Sequence, residues 1–586
     1  MTAITKAPEG DNTRVHLLTI GLEDYFQVDA FDSMVAPAHW YRFESRLEHG
    51  LQRTLELLDE ASSTRRDGGR VTATFFILGW VAERYPELVR SIAEHGHEVA
   101  SSGFEHRRLA TFTPSQFRDD LARTREALER AVRHRIHGHR VAGWMSDRHL
   151  WALDVLAESG YTYDSSLRAI RFAASRAARR SEAHEHRFGA RTIWEYPVSA
   201  LRMAGTLIPA AGGNFLRQFP APLLHRAIAR WEARTAAPFV FYFHTWELDP
   251  DQPRFHHAPF VSRLRHYRNL DRMRDRIGDY LTRYRFSSVA EARQLARVDR
   301  RHTVRPARRA LVVNTVGMPN EAPVPSAATA RTTVTVVIPC YNEVPALRYL
   351  GNTLESVERA LAARFDLRFQ FVDDGSSDGT FAALNELARG RPHYRVLRQR
   401  TNGGVTAAIL AGIRAADTEI VASMDCDCTY DPHELGCMIP LLSDGVALVT
   451  ASPYHPLGSV HGVPRWRLGA SKTLSWLYRR VLRHKLHTYT SCFRVYRRSV
   501  VANLQLTRGG FLGVAEMVAR LDERSARGTG RIVEYPTTLS ARVVGRSKMR
   551  VLRVALAHLT LLAAVAVKRW LPERGHANAA NGAAHA

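Results

Sequence analysis

Three apolar runs in the second half of this 586-residue chain each stop on a cluster of polar and acidic residues. Val334–Ile338 runs into Pro339-Cys340-Tyr341-Asn342-Glu343. Phe369–Val372 runs into Asp373-Asp374-Gly375-Ser376-Ser377-Asp378, and Glu419–Met424 into Asp425-Cys426-Asp427. Short apolar runs of this kind read as buried parallel strands, and the helix-like segments between them complete βα units. Open α/β sheets bind ligands beyond the carboxyl ends of their strands, which is where all three clusters fall. The fold class expected is therefore α/β, with a site at one edge of the sheet.

The chemistry of the clusters narrows the ligand. An Asp-x-Asp at a strand end places two carboxylates near one ion, and oxygen ligands suit Mg²⁺ or Mn²⁺. Such an ion offsets the charge of a diphosphate and steadies it as a leaving group. Each cluster alone is a common turn sequence. The three in this order, each after an apolar run, point to a nucleotide-sugar donor.

The first half also alternates strand-like and helix-like segments. Arg300–Arg309 is a basic run, and Gly317–Thr333 is rich in Pro, Ala and Thr without periodicity, which is linker composition. The expected organisation is a disordered N-terminus over 1–14, a domain over 15–297, a linker over 298–333, a second domain over 334–570 and a disordered tail over 571–586. The net charge of +24 raises nucleic acid or an anionic membrane as partners. The excess is nearly all arginine and is spread through both halves, so no nucleic acid is expected. Five cysteines, all in the second half, without zinc-ligand spacing, fit a reduced compartment. The N-terminus carries no apolar signal core, so a cytoplasmic location is expected, with possible contact at the inner face of the membrane. The apolar segment Val551–Trp570 is interrupted by His558 and reads as a buried helix, with an interfacial helix as the alternative.

The region Val334–Lys548 resembles the family 2 glycosyltransferases of GT-A (Rossmann-like) fold, in particular the dolichyl- and polyprenyl-phosphate sugar transferases. The resemblance implies that Pro339, Tyr341 and Glu343 line the nucleotide pocket and that Asp373 and Asp374 contact base and ribose. It implies that Asp425 and Asp427 hold the metal and diphosphate. Thr490-Ser491-Cys492-Phe493-Arg494 resembles a family stretch with Cys492 where Gly is usual. Gly545-Arg546-Ser547-Lys548 resembles the closing segment, so Arg494 and Lys548 are expected at the donor. Glu516 sits where the family keeps an acidic residue near the acceptor. It is the candidate base should the acceptor be an alcohol; a lipid phosphate needs none. The acceptor implied is a polyprenyl phosphate or a glycan.

The first half resembles the polysaccharide deacetylases (carbohydrate esterase family 4, NodB-like), in the branch associated with exosortase-type exopolysaccharide systems. This implies an irregular (β/α) barrel. The family's Asp-x-Glu-Asp reads Gly21-Leu22-Glu23-Asp24 here, so the base position is a glycine. The family's two metal-binding histidines read Ser102 and His106, and its Arg-Ala-Pro reads Arg140-Val141-Ala142. Asp24, His106, Arg140, Asp164 and His244 survive. A degenerate site without zinc is expected, its remaining residues serving packing or sugar binding. The function expected is sugar transfer from a nucleotide-sugar in exopolysaccharide or cell-envelope glycan synthesis, fused to an inactive deacetylase domain. The alternatives are a bifunctional transferase and N-deacetylase, and a non-catalytic glycan-binding scaffold.

Overall fold

In the computed structural model, the described residues are 14–32, 34–65, 68–143, 145, 147–167, 182–203, 206–209, 212–294, 331–525, 530–543 and 551–570. Side chains are not described at 201–203, 206–209, 465, 551–555 and 568–570. The expected N-terminal tail (apart from Arg14), most of the expected linker, Lys548 and the expected C-terminal tail lie outside these residues. The chain divides into two compact units, 1–317 and 318–586, except that Tyr41–Glu44 and Phe255–His257 group with the second.

The first unit is built on β1 (Val15–Leu22), β2 (Thr74–Ile77), β3 (Glu98–Ser101), β4 (Gly138–His139), β5 (Tyr163–Asp164), β6 (His184–Phe188), β7 (Arg191–Glu195), β8 (Val240–His244) and β9 (Arg285–Ser287). Their order is β8-β1-β2-β3-β4-β5-β7-β6, with β9 beside β1. Among the described residues of this sheet only the β6–β7 pairing is antiparallel. The terminal strands β6 and β8 do not pair, so among the described residues the barrel is open. β1 is buried almost throughout, as a central parallel strand covered on both faces should be. The crossover helix Pro114–Val132 shows how firmly the local sequence sets its ends. Thr113 and Gln116 form a reciprocal capping box, Pro114 sits in the first turn, and Arg133 closes the helix in the left-handed region.

The second unit holds β10 (Thr332–Cys340), β11 (Phe365–Asp373), β12 (Tyr394–Arg398), β13 (Ile420–Ser423), β14 (Val446–Ser452), β15 (Arg494–Arg497) and β16 (Arg531–Pro536). The order is β12-β11-β10-β13-β15-β14-β16. β10 to β13 are mutually parallel, while β15 runs antiparallel to both its neighbours. β10 begins two residues earlier than the sequence suggests and extends through Cys340, which pairs with Asp373 in register. All three acidic clusters thus emerge from the carboxyl ends of adjacent strands β11, β10 and β13.

The segment Val551–Trp570 is one helix. It is neither wholly buried nor long and apolar enough to cross a membrane, and no helix among the described residues is. Its His558 is buried and its ring bonds the Tyr478 hydroxyl at 2.7 Å. Leu561 and Leu562 are buried, while Leu556, Leu559 and Val567 face outward. The polar break that weakens the sequence signal is the docking point of the helix.

Candidate functional site

In the second unit, Asp425 and Asp427 follow β13 directly, half-buried. Asp427 accepts from the Thr429 amide at 3.1 Å. Cys428, immediately after them, takes φ +50°, so the chain turns sharply just past the second carboxylate. Burial first, and the Asp427 charge second, push the Asp425 carboxyl up to about 7. Two carboxylates crowded in this way call for a cation. Arg542 supplies one: it pairs with Glu343 and stands 3.5 Å from Asp427. The acidic residues of β10 and β13 therefore converge on one spot. The donor set of two carboxylates with Glu343 at hand fits a divalent cation with oxygen preference.

Around it the loops are tightly tied. The Asn342 amide donates to Ser376 and its side-chain oxygen accepts from the Ser377 and Asp378 amides. The Glu343 amide donates to Thr380 at 2.8 Å. Pro339 and Tyr341 are partly exposed at the strand end. Asp373 is buried, with Arg398 3.4 Å from its carboxylate. Asp374 is placed differently from a ribose contact. Its two oxygens accept from the Gly403 and Gly404 amides, each at 2.8 Å. Burial raises its pKa against the pull of those two amides. Gly404 has φ +84°, and a Cβ there would meet the Gly510 amide nitrogen at 2.9 Å, so the loop before helix Val405–Ala415 requires glycine.

Two expected site residues are structural. Glu516 is 2% exposed. Its carboxylate accepts from the Thr507 amide and hydroxyl, the Arg508 amide and Arg520. It clamps the loop leading to Gly510, leaving no free face for proton abstraction, because its hydrogen bonds saturate both oxygens. Arg494 is fully buried and donates to the Val514 and Tyr489 carbonyls and the Thr450 hydroxyl. It supports the core of the unit and does not reach a ligand. The residue that sequence reasoning missed is Arg542. Its signal was available: a lone basic residue three positions before Gly545-Arg546-Ser547-Lys548, just past a short strand.

The first unit has a cavity of about 590 Å³ lined by Glu23, Ser102, His106, Arg140 and His244, among others. Asp24 and Asp164 are not among its lining residues. Asp24 is 1% exposed and accepts the Tyr25 and Arg46 amides at 3.0 and 2.9 Å. Burial pushes it up to about 7. Asp164 is buried against Ser166, and burial raises it as well. Arg140 donates to Thr19 and Ser165 and lies over the Phe76 ring. With Asp24 turned into the backbone and Ser102 in place of an imidazole, the ligand set expected of a deacetylase zinc does not assemble.

A different pair occupies the centre. Glu23 contacts His244 Nδ1 at 2.6 Å and His106 Nε2 at 3.4 Å. Burial acts to raise the Glu23 carboxyl, but His244 and then His106 outweigh it and hold it below the usual range. Burial likewise acts to lower His244, and Glu23 reverses that. The ring of His244 lies where a side chain on residue 21 would go: a Cβ there would stand 2.4 Å from Nδ1. Glycine at the base position is thus filled by the neighbouring strand's histidine.

Comparison with known proteins agrees with this division. Residues 335–505 match Glycosyl transferase family 2. The polyprenol monophosphomannose synthase of Mycolicibacterium smegmatis is 33% identical over 218 residues, 36% of this chain and 80% of that one. This chain belongs to the family 2 glycosyltransferases. The undecaprenyl-phosphate mannosyltransferase of Micrococcus luteus is 31% identical, over 37% of this chain and 87% of its own. Residues 67–163 match Polysaccharide deacetylase, and 165–294 match a domain of unknown function, DUF3473. A crystal structure from Mycobacterium smegmatis described as a polysaccharide deacetylase covers 52% of this chain and 96% of its own at 23% identity, TM-score 0.33. The glycosyltransferase is thus fused to a deacetylase-type domain.

Proposed function

We propose that the second unit transfers a sugar from a nucleotide diphosphate-sugar to a polyprenyl phosphate at the inner membrane surface, in the synthesis of a cell-envelope glycan or exopolysaccharide. The observation that carries this reading is the state of Glu516. An alcohol acceptor needs a base to take its proton, whereas a phosphate oxygen is already anionic. The carboxylate best placed by sequence to be that base is spent on three donors of the preceding loop and on Arg520 of its own helix. Asp425 and Asp427 would hold a Mg²⁺ or Mn²⁺ ion, which would supply charge neutralisation for the diphosphate leaving group. Pro339, Tyr341 and Asp373 border the nucleotide. Asp374 keeps the Gly403-Gly404 loop in place for it. Arg542, beside Glu343 and Asp427, would be the basic residue at hand for the donor's phosphates.

Membrane contact is supported by outward-facing Trp466 and Trp476 on the helix Arg465–Val481. Arg467 and Arg480 lie over those rings. Tryptophan beside arginine suits the interface of an anionic leaflet. The deacetylase-type domain binds the glycan without hydrolysing acetyl groups, because neither its base nor its metal set is assembled as that chemistry requires.

The test is release of nucleoside diphosphate from UDP-, GDP- and dTDP-sugars by the full chain, with polyprenyl phosphate and Mg²⁺ or Mn²⁺. One donor should turn over, and both chelation and Asp427→Ala should abolish it. Turnover equal in Asp427→Ala would refute the assignment of the ion.

A further inference from the structure

Beyond the transferase site, the cavity of the first unit carries an arrangement that neither family pattern contains. Asp29, Asp32 and His106 each offer one ligand atom, all within 4.8 Å of one another. Atoms bound at ~2.0–2.2 Å to a shared tetrahedral ion stand ~3.3–3.6 Å apart, so the two exposed aspartates need to move inward by up to about 1 Å to close the set.

The imidazole makes this more than an acidic cluster. The His106 side chain is only 10% exposed. Its Nδ1 is buried without a hydrogen-bond partner, and the nearest carboxylate oxygen, on Asp29, is 3.7 Å away. A buried ring nitrogen aimed at two carboxylates beyond hydrogen-bond reach leaves a gap of ion size. The other ring nitrogen faces Glu23 at 3.4 Å. Metal-bound histidines ordinarily present their second nitrogen to a carboxylate in this way, which fixes the tautomer and orients the ring. The two aspartates are also held. They flank Phe31, which is fully buried, and the turn is tied by the Phe31 amide to the Val28 carbonyl at 3.0 Å. Arg108, largely in solvent, lies 3.2 Å from Asp32 and 3.7 Å from Asp29. It neutralises the pair and can swing outward when an ion takes its place.

We infer that Asp29, Asp32 and His106 form a divalent-cation site on the wall of the first unit's cavity. The site shares His106 with the deacetylase pattern but uses neither Asp24 nor Ser102. One nitrogen and two carboxylates suit Zn²⁺ or Mn²⁺. Three protein ligands leave a coordination position open toward the cavity, where an oxygen of a carbohydrate can complete the shell. This role of the cation rests on the glycan binding proposed above for the domain; the ion site itself does not.

The experiment uses the full chain carrying Asp425→Ala and Asp427→Ala, so that the second unit contributes no ion. After chelation and dialysis, zinc is titrated by calorimetry and counted by atomic absorption. One Zn²⁺ per chain should bind, raise the unfolding temperature and show cobalt d–d bands when replaced by Co²⁺. His106→Ala should weaken binding at least ten-fold. So should Asp29→Asn with Asp32→Asn, a pair of exposed positions whose change leaves folding intact. No bound zinc would overturn the proposal. Zinc bound equally by the parent and both variants would overturn it too, since it would then rest on surface histidines elsewhere.

Discussion

The two units place carboxylates after their strands in opposite ways. In the second, Asp425 and Asp427 stand half-buried at the strand ends with Glu343 and Arg542 converging on them. In the first, Asp24 has turned into the backbone and Glu23 has taken the centre, locked to the His244 that fills the space over Gly21. Both units keep most of their motif letters. What separates them is how fully the chain's own amides take up a carboxylate: Asp24 accepts one amide on each oxygen, whereas Asp427 accepts a single amide and keeps its other oxygen beside Arg542. The same criterion sorts residues within the second unit: Asp374 and Glu516 are motif acids that tie loops, and Asp425 and Asp427 are not.

The comparison can be broken most directly at Asp427. If the open carboxylates carry catalysis, Asp427→Ala should lower turnover by about 10²–10³-fold, the loss of several kcal/mol of charge stabilisation. Chelation should do the same and be reversed by Mn²⁺. Changes of under ten-fold would place the two units on the same footing.

Glu516 sharpens the contrast between open and spent acids. Glu516→Ala should cost about 1–3 kcal/mol of unfolding free energy, because it removes the buried acceptor of the part-buried Thr507 and Arg508 amides. Glu516→Gln, which keeps an acceptor, should retain turnover within about ten-fold, with the pH profile unchanged. Loss of a general base would instead lower the rate by about 10²–10⁴-fold.

In the first unit, Gly21→Asp restores the family letter but must push His244 aside. It should destabilise by about 1–3 kcal/mol, the usual range for overpacking, in thermal unfolding. It should release no acetate from N-acetylated oligosaccharides, because Ser102 still replaces a ligand. Acetate release by this single variant would show that only the base was missing.

The smallest effect concerns His558. Burial lowers it to about 4, so the native helix keeps it neutral while the unfolded chain protonates near 6.5. Below pH 6.5 the unfolded state binds the extra proton, and stability falls as pH drops toward 4. At pH 5 the docked C-terminal helix should lose about 1–2 kcal/mol. Circular dichroism on melting at pH 7 and pH 5 should show this, and His558→Gln should reduce the difference by that amount, leaving the share of the buried His97, His139 and His266.

Much of the fold was legible because apolar runs ending in acidic clusters require parallel strands with their carboxyl ends together. The placement of Asp425 and Asp427 just past the end of β13 was legible for the same reason. The interruption at His558 was readable as a departure from a spanning helix, although its hydroxyl partner, 80 residues away, was not. Glu516 and Arg494 misled because a motif letter does not say where a side chain points. Only the loop amides packed around Glu516 and the carbonyls around Arg494 decide that. Asp29 and Asp32 escaped notice because their partner His106 lies over 70 residues away and belongs to another pattern. Glycine at 21 signalled a lost base, but that a histidine from β8 would fill the space depends on the parallel pairing of β1 with β8.

The central claim is that the second unit glycosylates a phosphate and not an alcohol. The most direct measurement supplies the full chain with its radiolabelled donor, Mn²⁺ and either polyprenyl phosphate or the matching polyprenol. Label should enter only the phosphate lipid, in a product that mild acid cleaves, and Asp427→Ala should abolish it. Label in the polyprenol, or equal incorporation by Asp427→Ala, would contradict the account.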